Sequence, residues 1–163
     1  CTPSCPAPQF VFYFGVFADA PGHPPVPAAF QRLLRRFIEG DDAFRNSRFK
    51  QICKIEEGPF FVRKTVPARP AILGKTIKMS YFSGPGYFEV DVDTTYSAAA
   101  ARIFGVAKSN VRALVTDIAF VIEGQKPDEL PEMVVGCGRF AHVDLSAATV
   151  PLLEPPDSED PKP

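Results

Sequence analysis

Glu89, Asp91 and Asp93 alternate through the run Tyr87 to Asp93. Residues two apart on a strand project from one face, so this trio could hold a divalent cation or relay a proton. No His or Cys joins it, and Lys78, on the segment expected to pair with this run, answers Asp91. A solvated charged face is therefore the favoured reading, and a hydrolase built on this strand the least favoured function. The second cluster is basic: Arg45, Arg48, Lys50, Arg63 and Lys64. Guanidinium groups grip phosphate or carboxylate through paired hydrogen bonds, and ammonium groups act as point charges. These five are the candidate ligands for an anionic headgroup. Internal pairing with Asp41, Asp42, Glu56 and Glu57 is the competing use.

Other chemistry has less to stand on. The cysteines at positions 1, 5, 53 and 137 do not complete a zinc-ligand spacing, even with His23 and His142. They read as free thiols of a reducing compartment, with a Cys1–Cys5 disulfide as the alternative. No nucleophile–His–acid pattern is visible. Gly84-Pro85-Gly86 and Gly136-Cys137-Gly138 read as turn or bulge glycines and match no phosphate-binding fingerprint. No catalytic residue, metal ligand or cofactor site is expected. With 18 basic and 19 acidic side chains the formal charge is −1, which argues against nucleic acid as a partner. No apolar run is long enough for a transmembrane helix.

The elements that would position these residues follow from periodicity and punctuation. Prolines gather at 3–8, 21–27, 67–70 and 151–163. Residues 1–9 read as a Pro-rich arm, 10–148 as a single domain and 149–163 as a Pro/acidic tail. The chain starts at Cys1, with no Met and no signal peptide, and is expected to be a fragment or a processed form. Phe10 to Phe17 predicts a strand buried on both faces. Phe30, Leu33, Leu34, Phe37 and Ile38 recur at helical spacing, with Arg32, Arg35 and Arg36 opposite, so a helix is expected from Pro27 to Gly40. Asp41 or Asp42 can cap a further short turn.

Two hairpins are predicted next, Lys50–Glu56 with Phe60–Val66 and Ile72–Phe82 with Tyr87–Asp93. The second sets Phe82 against Tyr87 and Lys78 against Asp91. It brings Ile77, Met79 and Tyr81 onto one face with Val92, Val90 and Phe88. Ser97 to Glu123 reads as one long helix of roughly 40 Å, and Met133 to Val143 as a last strand. The expected fold is α+β: an antiparallel β-sheet with a long helix, about 97–123, packed on one face in a helix-grip-like arrangement. The Phe10–Phe17 strand and Tyr81, Phe82, Tyr87 and Phe88 could line an apolar cavity beneath that helix, or simply fill the core.

The run Phe37-Ile38-Glu39-Gly40-Asp41-Asp42-Ala43-Phe44-Arg45-Asn46-Ser47-Arg48-Phe49-Lys50 resembles the C-terminal domain of the plant Enhanced Disease Resistance 2 family. Further runs agree in the same order: Ile55-Glu56-Glu57-Gly58-Pro59-Phe60-Phe61-Val62-Arg63-Lys64, Leu73-Gly74-Lys75, Tyr87 to Asp93, Val115 to Gly124, and Glu129-Leu130-Pro131-Glu132. The resemblance covers about residues 30–145. In that family the domain commonly follows a pleckstrin-homology and a lipid-transfer domain, and neither companion is present here. The resemblance implies a noncatalytic domain that binds a lipid or a membrane-linked partner, carries no active-site residues and works inside the cell, peripheral to a membrane or in the cytoplasm. The alternative is an accessory subunit of a larger assembly, in an organelle such as a plastid, held through the Pro-rich termini.

Overall fold

The computed structural model describes residues 11–15, 25–66 and 69–147. Helix α1, Ala28–Glu39, forms where the apolar spacing predicts it, and buries Phe30, Leu33 and Phe37. Pro27 stands at its N-cap, and Gly40 closes it by donating its N–H to the Arg36 carbonyl. Helix α2, Asp42–Asn46, is capped by Asp41, whose carboxylate accepts the Phe44 N–H at 2.8 Å.

Strands β1 (Phe49–Glu57), β2 (Ala71–Ile72), β5 (Val115–Ile122) and β6 (Val134–Ala141) form an antiparallel sheet in the order β2-β1-β5-β6. Strands β3 (Lys78–Gly84) and β4 (Tyr87–Asp93) form a separate hairpin. Leu33, Phe37, Phe49, Leu73, Met79 and Ile122 make one buried cluster. Phe37 packs at a tilt against Phe49 on one side and meets Tyr81 and Phe88 on the other. Helix α1 is therefore the wedge between sheet and hairpin. The fold is α+β, as expected, but its parts are arranged differently.

The expected long helix at 97–123 does not form. Helix α4, Ala98–Ser109, is capped by Ser97 and ends at Asn110, whose side-chain amide donates to the Val106 carbonyl at 2.8 Å. One 3₁₀ turn, Val111–Ala113, follows, and the chain becomes β5. The physical reason lies in β5 itself: Val115, Thr116, Ile118, Phe120, Val121 and Ile122 favour the extended backbone, and both flanks of the strand are paired. A nearly continuous apolar run whose polar residues, Thr116 and Asp117, are adjacent cannot be told from a buried helix by periodicity. Helix α4 has no fully buried residue. The helix-grip arrangement and its cavity are thus absent from the described residues, and Tyr81 and Phe88 pack on Phe37 instead.

The first predicted hairpin is also corrected. Phe60–Thr65 is helix α3, started by Pro59, whose carbonyl accepts the N–H groups of Val62 and Arg63 at 3.0 and 3.2 Å. Gly58, at φ 148, turns the chain where Leu114 leaves no room for a side chain. The partner of β1 is β5, some sixty residues on, so local spacing could not show it.

Two further expectations move. Residues 11–15 belong to no strand: the rings of Phe12 and Phe14 lie on Phe120, with Phe12 also on Phe140, while Val11 and Tyr13 stay exposed. With β5 already paired on both sides, this segment covers the face of the sheet rather than joining it. In the hairpin, Pro85-Gly86 alone forms the turn, with Gly86 at φ 81, so Gly84 faces Tyr87 and Lys78 faces Asp93. The register differs from the expected one by two residues, which leaves every side chain on its expected face. The arm 1–9 and tail 149–163, with Cys1, Cys5 and His23, lie outside the described residues.

Candidate functional site

Arg45, Arg48 and Lys50 follow α1 and α2 closely, and each is drawn inward. Arg45 donates to the Phe37 and Ile38 carbonyls at 2.9 and 2.6 Å and to Asp42 at 2.8 Å. It thereby satisfies free carbonyls at the end of α1, and its guanidinium sits 5.2 Å from the Tyr81 and Phe88 rings. Beneath it the Tyr81 hydroxyl donates to the Asn46 side chain at 2.9 Å. Burial first, then the Asp42 carboxylate, pushes that phenol up to about 12.

Arg48 is only 7% exposed and lies against Glu129, 5% exposed, at 3.5 Å. Its guanidinium rests 3.9 Å from the Phe44 ring centroid, and Arg36 reaches the same ring at 4.5 Å and the same carboxylate at 3.4 Å. The other Glu129 oxygen accepts the Gln125 N–H at 2.8 Å. Arg48 Nε is buried without a hydrogen-bond partner among the described residues. Lys50 is held between Glu132 at 2.8 Å and Glu123 at 3.5 Å. These cations bind α1 and β1 to the segment after β5. The carboxylate partners of Arg48 and Lys50, Glu129, Glu123 and Glu132, are not the acids that sequence proximity suggested, whereas Arg45 does pair with one that was, Asp42.

Arg63 and Lys64 are elsewhere. They lie on α3, beyond the far end of β1, a strand of nine residues and therefore roughly 30 Å long. Val62 is fully buried beneath them, whereas Phe60 and Phe61 are 71% and 54% exposed. The Lys64 ammonium sits 5.7 Å from the Phe60 ring centroid. Among the described residues neither Arg63 nor Lys64 forms an ion pair, and the same holds for Arg32 and Arg35 on the outer face of α1. A shallow depression on that face is lined by Arg32, Arg35, Arg36, Glu39 and Gly40. The five predicted cations thus divide into an inward three and an outward two.

The acidic strand points outward from β4. Glu89, Asp91 and Asp93 face Phe82, Ser80 and Lys78. Asp93 accepts from the Thr95 hydroxyl and N–H at 2.7 and 2.9 Å, and these bonds, the hydroxyl's above all, hold its carboxyl below the ordinary range. Among the described residues no group of three or more His, Cys, Asp and Glu is placed to hold a metal ion.

Sequence reasoning missed a charged ladder on the sheet. Lys54, Asp117 and Arg139 are cross-strand neighbours on β1, β5 and β6. Arg139 donates to both Asp117 oxygens at 2.6 and 2.7 Å, which lowers that carboxyl, and Lys54 reaches Glu56 at 2.6 Å. Reading 115–122 as a strand would have revealed it. Asp144 is similarly held down to about 2, first by the Ser146 hydroxyl and then by Arg112. Cys53 and Cys137 are free thiols, and burial raises that of Cys53. Among the described residues no helix is long and apolar enough to cross a membrane.

Comparison with known proteins adds the family. The model for "Protein ENHANCED DISEASE RESISTANCE 2, C-terminal" matches residues 1–144. The Arabidopsis thaliana "Protein ENHANCED DISEASE RESISTANCE 2-like" is 40% identical over 146 residues, which covers 90% of this chain. The chain spans 19% of that relative's length. No solved structure matches.

Proposed function

This chain belongs to the Enhanced Disease Resistance 2 C-terminal family, and from that premise we propose that it is a noncatalytic binding domain that works against a lipid or membrane surface. One observation carries the reading: ten cations, Arg32, Arg35, Arg63 and Lys64 among them, are exposed and form no ion pair among the described residues. Unmatched surface cations are the groups that attract anionic headgroups. The noncatalytic part is supported by where the perturbed carboxyls lie. Asp93, Asp117 and Asp144 are each lowered by neighbouring donors, and so stay ionised as turn and ladder supports at neutral pH. The free thiols suit an intracellular, reducing setting.

The test is co-sedimentation of the whole chain with phosphatidylcholine vesicles, with and without phosphatidylserine. Binding to the anionic vesicles that weakens as salt rises supports the reading; equal or no binding to both overturns it. A second reading, an accessory subunit of an organellar assembly, is favoured by β6. That strand has one described neighbour, β5, and Val134 on it is exposed. Native mass spectrometry of the chain from its source would then show a stoichiometric protein complex.

A further inference from the structure

We propose that α3 is the part of this domain that enters the membrane interface, with Phe60 and Phe61 seated among the headgroups and Arg63 and Lys64 holding anionic lipid beside them. The inference rests on the membrane reading above and names its contact surface. By the 100° helical step, Arg63, Phe60, Lys64 and Phe61 occupy an arc of about 160°, with Val62 on the opposite side. Val62 is the anchor, fully buried, while the four others are exposed. The outer face of α3 thus consists of two rings and two cations.

That composition fits a bilayer better than a free anion. A dissolved phosphate would engage the cations and leave both rings in water. A bilayer surface takes the rings into its apolar margin and the charges at its headgroups, and the long basic stems can span the two layers. Charge complementarity extends beyond the helix. Helix α4, packed beside α3, carries Arg102 and Lys108, both exposed, and no Asp or Glu, although the chain as a whole is at −1. The Arg groove on α1 lacks exposed aromatic side chains among its lining residues and includes Glu39.

The absence of Trp from the chain supplies the experiment. Phe60→Trp gives the full chain a single indole on α3, and Phe82→Trp places one on the outer face of the hairpin as a control. With phosphatidylcholine–phosphatidylserine vesicles, the Trp at position 60 shifts its emission to the blue and is quenched by brominated acyl chains, and that at 82 is not. Phe60→Ala with Phe61→Ala lowers partitioning at least about tenfold. Arg63→Gln with Lys64→Gln lowers it roughly 30-fold at low salt and little at high salt. Arg32→Gln with Arg35→Gln, which removes the same charge from a face without exposed rings, lowers it less than the α3 pair does. If the unsubstituted chain partitions but neither α3 pair weakens it, or the α1 pair alone does, the role of α3 is overturned and the membrane reading stands. If the chain ignores anionic vesicles, or binds only a protein, both fall.

Discussion

The two ends of β1 use the same residue types in opposite ways. At its start, Phe37, Phe44 and Phe49 pack inside, and Arg45, Arg48 and Lys50 are tied to carbonyls and carboxylates. Past its end, Phe60 and Phe61 face outward, and Arg63 and Lys64 have no carboxylate partner among the described residues. The difference lies in what the fold brings opposite. The start of β1 receives Glu123, Glu129 and Glu132 from the segment after β5; α3 has α4 beside it, a helix whose charged residues are Arg102 and Lys108. A cation's role is thus set by acids far away in sequence, and clustering of cations alone does not make a site.

The contrast can be broken most forcefully at the packed end. Leu33→Ala, at a side chain 2% exposed, is expected to cost about 3–5 kcal/mol in urea unfolding. Glu129→Ala leaves the buried Arg48 charge unpaired and is expected to cost about 3 kcal/mol by the same measurement. A loss below about 1 kcal/mol there would mean that water already solvates Arg48. Tyr81→Phe removes the bond to Asn46, at about 1 kcal/mol, and also tests a pH dependence. The phenol's pKa is raised from 10 to about 12, so the folded state holds the proton more tightly than the unfolded one. Its contribution is complete below pH 10 and disappears as pH rises toward 12. Alkaline titration of stability should therefore be flatter in Tyr81→Phe. The smallest effect belongs to the open end: Phe60→Ala and Arg63→Gln should each change stability by no more than about 0.5 kcal/mol. A loss as large as that of Leu33→Ala would show that α3 is core and end the contrast.

How far the sequence could be read follows the same division. Helix α1 was legible because one stripe is apolar and the other carries Arg32, Arg35 and Arg36. The hairpin's faces were legible because alternation survives a two-residue register shift. Strand β5 was not, since its run is nearly continuously apolar and its polar residues Thr116 and Asp117 are adjacent, so no alternation marks it. Helix α3 was misread because Phe60-Phe61-Val62 favours strands locally, while Pro59 and the turn at Gly58 decide otherwise. Of the candidate cations, types and positions were legible; their fates were not, because the acid that meets Arg48 is Glu129. The family could be read directly, since it rests on residue order rather than on predicted pairing.

The pairing of β1 with β5 has a consequence for synthesis. A ribosome that has released Phe49–Glu57 must still translate everything from Gly58 to Leu114 before the strand's main partner emerges. Throughout that interval one flank of β1 offers unsatisfied amides to whatever strand it meets, so a nascent chain stalled before Val115 should be the form most prone to aggregate and most in need of a chaperone.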